Sequence, residues 1–325
     1  MKSVHTVLAS LVAAGALTAA VAPAFAQQDF PARPIRFIVP FPPGGSTDPM
    51  ARFAATRLSE RFGTSVVVDN RPGGNTIIGT EAVAKATPDG YTILLASSSL
   101  INTPSLLKMP YDVKKDFTGV GTIATSRFVL VVPPTSPAKT LAELIDLAKA
   151  KPGQLNYASS GIGTNTHLSG ALFTLLSGAK INHVPYKGSG TLQADLMAGR
   201  VDMSFQVPIS VISHIRAGKQ RPLAMSGDKR LAALPDVPTF IEAGMPNFII
   251  AGWFGVVTQT KAPRAAIERI SKELAAILTQ PDAVEYLAKQ GSEALVSTPE
   301  QTTRRLHADI DRHAKIIKDA GIKME

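Results

Sequence analysis

Hydrophobic runs of strand length alternate with segments of helical period along most of the chain, the pattern of parallel strands joined by crossover helices. Ile35 to Phe41 predicts a strand. Pro49 to Phe62 predicts a helix with Met50, Phe53, Ala54 and Leu58 on one face and Gly63 at its stop. Ser65 to Val68 and Thr92 to Ala96 read as buried strands. Thr140 to Ala150 reads as a helix because Thr140 and Glu143 stand at capping-box spacing and Gly153 follows. Further strands fit Leu155 to Ser159, Ile181 to Val184, Val201 to Gln206, Leu223 to Met225 and Trp253 to Val257. Helices then fit Arg264 to Leu278 and Asp282 to Lys289, and a last one opens at Thr298-Pro299-Glu300-Gln301 with a cap, a first-turn proline and a reciprocal glutamine.

The first 26 residues stand apart from this pattern. Lys2 supplies a positive start, Val7 to Val21 is apolar and alanine-rich, and Ala24-Phe25-Ala26 has the small-x-small form of a cleavage site. The apolar run is shorter than the roughly 18 to 20 residues of a membrane span, and polar Gln27-Gln28-Asp29 follows with no basic flank. An exported protein cleaved after Ala26 and free in the periplasm is expected.

A length of 325 residues suits two lobes. The segments Ser97 to Pro104 and Ser226 to Arg230 break the alternation, which suggests two crossings between lobes and therefore a hinge. On that reading residues 27–102 and 229–325 form one lobe and residues 103–228 the other. The chain has no cysteine, so neither disulfides nor an N-terminal lipid anchor is available. Lys and Arg number 34 against 25 acidic residues, a formal net charge of +9 that favours capture of an anion. Nucleic acid is disfavoured, since the basic residues are scattered along amphipathic helices and aromatic residues make up only 6% of the chain, few platforms for stacking.

Two stretches carry candidate chemistry. "VPFPPGGSTDPMAR", residues 39–52, and "LNYASSGIGTNTHLSGALF", residues 155–173, each run from a strand through a Gly/Ser/Thr loop into a helix. Weaker copies start at Thr92 and His183. Each places unsatisfied first-turn N–H groups beyond the carboxyl end of a strand, where the helix dipole and close backbone approach suit an oxyanion. Gly44, Gly45, Gly161 and Gly163 would shape the cradles, with Ser46, Thr47, Ser159, Thr164 and Asn165 as short polar donors. Taken singly, each loop is equally a tight turn with hydroxyl caps. Two copies in different halves favour a carboxylate gripped between lobes. Asp48 suits an N-cap, Phe41 either core or ligand cover, Lys187 either a distal anion or solvent, and Asp202 either a ligand acceptor or the end of the turn after Gly199. Trp253 suits buried packing.

Enzyme signatures fail. The phosphate-loop string is absent, Thr166 stands where a dinucleotide fingerprint needs its third glycine, and Asp48 stands where a nucleophile elbow needs glycine. His307 and His313, six apart, fall on different helix faces, and no metal or cofactor site is implied. A secreted serine hydrolase using Ser159 or Ser160 with His167 is the rival reading.

Six stretches together resemble one family: "PFPPGGSTD", "NRPGGNTIIGTEAVAKATPDGYT", "MPYDVKKDF", "YASSGIGTNTHL", "HVPYKGSG" and "LPDVPTFIEAG". The mature chain resembles the Bug family, the periplasmic solute receptors of tripartite tricarboxylate transporters. The resemblance implies an α/β, two-lobed periplasmic binding protein fold with a ligand cleft between lobes and two hinge crossings, and no catalysis. It implies a small carboxylate held, often through water, between Phe41 to Thr47 on one side and Ser159 to Asn165 on the other, with Asp202 also carried over. Membrane transporter subunits are the implied partners, with the receptor itself a monomer and no nucleic acid involved. Ala171 stands where relatives often have an acid, and Gly190-Thr191 where Pro-Ala is common, which leaves the ligand's identity open.

Overall fold

The computed structural model describes residues 30–319; the expected leader and its expected cleavage site at Ala26 lie outside them. The first lobe contains β1 (Ile35–Val39), α1 (Thr47–Phe62), β2 (Val66–Asn70), α2 (Ile77–Ala84), β3 (Thr92–Ala96), α3 (Ser98–Asn102), α4 (Val113–Asp116) and β4 (Phe117–Ser126). The second contains β5 (Val129–Val132), α5 (Leu141–Ala150), β6 (Leu155–Ser159), α6 (Asn165–Ser177), β7 (Ile181–Pro185), α7 (Ser189–Met197), β8 (Met203–Gln206), α8 (Pro208–Arg216) and β9 (Arg221–Met225). The chain then returns to the first lobe through β10 (Gly252–Gln259), α9 (Arg264–Leu278), α10 (Pro281–Lys289) and α11 (Pro299–Asp319). The result is a mixed α/β fold of two five-stranded sheets, ordered β2-β1-β3-β10-β4 and β7-β6-β8-β5-β9.

Neither sheet is wholly parallel, as the alternating pattern had suggested. β1, β2 and β3 run parallel, as do β6, β7 and β8, but β10 and β5 run antiparallel to both of their neighbours. Each is the strand by which the chain enters its lobe. It starts at the end of the sheet facing the cleft, where the parallel strands finish, so it must run the opposite way.

The expected lobe boundaries also shift. β4 pairs with β10 along its whole length, so the first crossing comes after Ser126 and not at residue 102. "SSSLINTP" is a helical wall of the first lobe. The return crossing lies just before Gly252 and not at residue 229, because Phe240, Met245 and Phe248 pack into the second lobe's core. No periodicity marks β4, whose "TGVGTIATS" has two register shifts against β10.

The strands read as continuous apolar runs because both faces of each sheet are covered. Phe37 and Val39 point into the α1 and α9 side, Ile38 into the α3 and α11 side, and all three are fully buried. Cap chemistry fixes the helix starts. Thr140 Oγ1 accepts from Glu143 N–H at 3.2 Å, and Thr298 and Gln301 bond reciprocally at 3.2 and 2.9 Å. α11 lies on β4, where Thr303 Oγ1 accepts from Gly119 N–H at 2.8 Å.

Beneath the loop after β6, Tyr157, His183 and His167 form a stack, with ring centroids 4.8 and 4.1 Å apart. His183 Nε2 lies 2.7 Å from Ser159 Oγ, and His167 Nδ1 accepts from Gly163 N–H at 3.3 Å, so this nitrogen carries no proton. Burial lowers the His167 pKa to about 4, and burial together with the neighbouring His167 lowers that of His183 to about 3. Both rings fold neutral, whereas in the unfolded chain they take up a proton near pH 6.5. Stability is therefore complete above pH 6.5 and falls as the pH drops toward the folded values. In denaturant titrations, the unfolding free energy should stay level from pH 8 to 7 and fall between pH 6.5 and 5 by up to about 1.4 kcal/mol per pH unit for each buried histidine. His183→Gln should remove that residue's share of the slope, and an unchanged slope would contradict the account.

Candidate functional site

The loop after β1 is held in shape from behind. Asn70, at the end of β2, donates through Nδ2 to Phe41 O at 3.1 Å and to Asp48 Oδ1 at 3.0 Å. Asp48 Oδ2 accepts from Arg52 Nε at 3.0 Å and from Gly44 N–H at 3.4 Å. Burial raises the Asp48 pKa, but the bonds from Arg52 and Asn70 outweigh it and hold the carboxyl below its ordinary range. Asp48 is thus a brace inside the first turn of α1 and not its N-cap. Ser46 occupies the cap position without a side-chain cap bond, which leaves the start of α1 free of a covering side chain.

The loop after β6 is tied by hydroxyls. Thr164 Oγ1 donates to Gly161 O at 2.7 Å and accepts from His167 N–H at 3.3 Å, capping α6. Thr166 Oγ1 accepts from Ser160 N–H at 2.9 Å. Gly161, at φ +132°, takes a conformation that a side chain would strain.

Across the cleft the loop after β1 meets a third loop, the one between β7 and α7. Ser46 N–H donates to Ser189 Oγ at 3.1 Å, and a Cβ on Gly45 would come within 2.8 Å of the same oxygen. A Cβ on Gly190 would stand 3.2 Å from the backbone of Pro43 and Gly44. Small residues on both lips let the main chains close together. They enclose a cavity of about 40 Å³ lined by Phe41, Gly45, Ser46, Thr47, Thr164 and Asn165, with Ser97, Ser98, Ser160, Thr166 and Ser189 among its other polar groups. Phe128, between β4 and β5, and Trp253 and Phe254, at the start of β10, complete its lining. Among the described residues, no acidic or basic side chain lines this cavity. Its polarity comes from main-chain dipoles and hydroxyls, an arrangement that suits an oxyanion and repels nothing negative.

A second, wider cavity of about 440 Å³ adjoins it and shares Phe41, Ser160 and Thr164. Its walls include Pro72, Ile162 and Tyr186, and Gly73, Gly74, Asn75 and Thr76 form one side. Lys187, exposed and without an ion pair among the described residues, stands at its edge.

Several expected site residues sit elsewhere. Ser159 is fully buried beneath its loop, and Gly44 and Gly163 line neither cavity; Gly163 backs onto Thr103 and Leu106 of the first lobe. Gly161 borders the wider cavity. Asp202 lies at the opposite end of the second sheet, where Oδ2 accepts from Asn156 N–H at 2.7 Å and its own N–H donates to Asn156 O at 3.0 Å. It closes the entry to β8 and is out of reach of the cleft. Asn165 lines the small cavity, but its polar groups are bonded to Ser98 and Asn102 of the first lobe and to Ala251 at the return crossing. Phe41 is both core and cover, 8% exposed and lining both cavities. The residues missed were Ser97, Ser98 and Ser189; their signal was the weaker loop copies after Thr92 and His183. The rival's pairing is not formed either, since Ser159 meets His183 and Ser160 Oγ meets Thr166 Oγ1 at 2.8 Å.

Comparison with known proteins places this geometry. Residues 50–322 match the family model described as tripartite tricarboxylate transporter family receptor. Protein BugT of Bordetella pertussis is 38% identical over 311 residues, 95% of each chain. Among solved structures, Rpa4515 of R. palustris with adipate superposes with a TM-score of 0.88 at 37% identity, over 91% of this chain and 99% of that one. MatC of Rhodopseudomonas palustris with bound malate gives 0.82 at 27% identity, over 89% of this chain and 100% of that one. With the family model and BugT both spanning most of its length, the chain belongs to the tripartite tricarboxylate transporter receptor family, whose Bug-type members are periplasmic solute-binding proteins.

Proposed function

We propose that this protein is a periplasmic receptor that closes its two lobes on a small carboxylate and delivers it to the membrane subunits of a tripartite tricarboxylate-type transporter. The observation that carries this reading is the small cavity: two helix starts, α1 from one lobe and α6 from the other, border a space that holds a carboxylate head or a few waters and, among the described residues, has no charged side chain in its lining. A carboxylate there meets dipoles from both lobes, so binding and closure reinforce each other. The adipate and malate bound by the two R. palustris relatives fit the same chemistry. The leader pattern ending at Ala26 supports export to the periplasm.

Binding rather than catalysis is the reading the site supports. A hydrolase needs an accessible nucleophile beside its base: Ser159 is fully buried and bonded to His183, while Ser160, which lines the cavities, bonds Thr166 Oγ1 and the Nδ1 of His167 is taken by Gly163 N–H. The wider cavity takes the remainder of the ligand. Its apolar walls suit a hydrocarbon body, and Lys187 at the edge suits a second anionic group.

Thermal unfolding in a panel of mono- and dicarboxylates, with adipate and malate as first members, tests the reading. A ligand present at ~100 times its Kd should stabilise the protein by roughly 2.7 kcal/mol, and no response to any carboxylate would refute it. Gly45→Val places a branched side chain against Ser189 and should weaken carboxylate binding at least about 100-fold by calorimetry, with the unliganded melting temperature little changed. Lys187→Met should weaken a dicarboxylate by about tenfold and leave the monocarboxylate of equal length unaffected; equal loss for both would remove Lys187 from ligand recognition.

A further inference from the structure

Asn165 is the first residue of α6, at the edge of the small cavity, yet its polar groups turn to the opposite lobe. Its N–H donates to Ser98 Oγ at 3.0 Å. Its side-chain Nδ2 donates to Ala251 O at 3.1 Å, and its Oδ1 accepts from Asn102 Nδ2 at 2.9 Å. Asn102 in turn offers Oδ1 to His313 Nδ1 at 2.6 Å, on α11. Asn102 is fully buried, and Asn165 and His313 are 1% and 5% exposed.

The direction of every bond in this chain is fixed from one end. A main-chain carbonyl only accepts, so the nitrogen of Asn165 must face Ala251 and its oxygen must face Asn102. That oxygen requires the nitrogen of Asn102, which leaves Asn102 Oδ1 for His313. Nδ1 of His313 therefore carries the proton, and Nε2 accepts from Arg312 at 3.3 Å. The relay runs His313 to Asn102 to Asn165 to Ala251 and crosses from the C-terminal helix through the first lobe to the second lobe's ligand loop and on to the return crossing. One turn earlier on the same face of α11, Asp309 Oδ2 accepts from Trp253 Nε1 at 2.8 Å, and Trp253 lines the cavity.

We propose that Asn102 and His313 are positioning residues which, through the side chain of Asn165, latch the two lobes in the closed state and so set how long a ligand is retained. Asn165 then acts as a lobe-to-lobe contact and its amide is not a ligand donor. Separation of the lobes must break the bonds from Asn165 to Ser98 and Asn102, centred on one buried residue where water is excluded and each unmade bond is costly, while the Ala251 bond ties the same residue to the return crossing. His313 holds the Asn102 amide in the one orientation that Asn165 can accept.

The retention part of this inference rests on the receptor reading; the closure part does not. Asn165→Ala keeps the backbone N–H and removes only the amide. It should weaken adipate binding about tenfold, chiefly through faster release, and should increase the radius of gyration of the ligand-free protein in X-ray scattering, with the helix content unchanged. His313→Leu should act in the same direction, and His313→Asn, which restores an N–H donor, should recover most of the loss. An Asn165→Ala variant with unaltered adipate release and unaltered radius would overturn the latch. If the unmodified protein binds no carboxylate, the receptor reading falls, and the scattering comparison of the ligand-free forms alone decides the latch. Should His313→Leu lose helix content, the Asn165→Ala result stands as the deciding one.

Discussion

An anion in the small cavity has to be held by neutral groups. The fields available there are those of the helix dipoles at the starts of α1 and α6 and of a ring of hydroxyls, each too weak to retain a carboxylate against water when acting alone. Convergence and dryness make up the difference, because dipoles act far more strongly once solvent is excluded. Both conditions depend on the lobes coming together, so on the proposed function the ligand site and the closed conformation are a single physical object.

Much of the sequence serves that closure without touching a ligand. Asp48, Asn70 and Arg52 hold the first loop rigid from outside the cavity, which keeps a carboxylate of the protein's own near the helix start but turned away from it. Ser159 and the histidine stack hold up the second loop from below. Gly45 and Gly190 are small so that two main chains can approach, and Ser189 supplies the bond between them. The neutral, buried state of His167 and His183 keeps the floor of the second loop free of charge that would compete for the guest.

On the proposed function the narrow and wide cavities divide the labour of recognition. The narrow one would take the carboxylate head, since its lining is neutral helix starts and hydroxyls. The wide one, built from Ile162, Tyr186, Lys187 and the turn at Gly73 to Thr76, would on the same proposal take the rest of the ligand against side chains and loop.

The sequence by itself settled what local forces settle. Strand–loop–helix order, the capping of α5 at Thr140 and of α11 at Thr298, and the paired loops at 39–52 and 155–173 are all written in residues close in the chain. The same holds for Gly45, Ser46, Thr47, Thr164 and Asn165 as neighbours of the cavity. What needed the tertiary structure was every feature that joins distant segments. β4 has no periodicity of its own and is a strand only because β10 pairs with it, so the lobe boundary was misplaced at 102. Asp202 follows a glycine turn like a cleft residue, but strand polarity puts it at the far end of the sheet. Asn165, a donor in any local reading, has its amide taken up by Asn102 and Ala251, 63 and 86 positions away. Hydrogen-bond partners so far apart in sequence leave no trace in spacing, and only the packed fold decides which polar group remains for a guest.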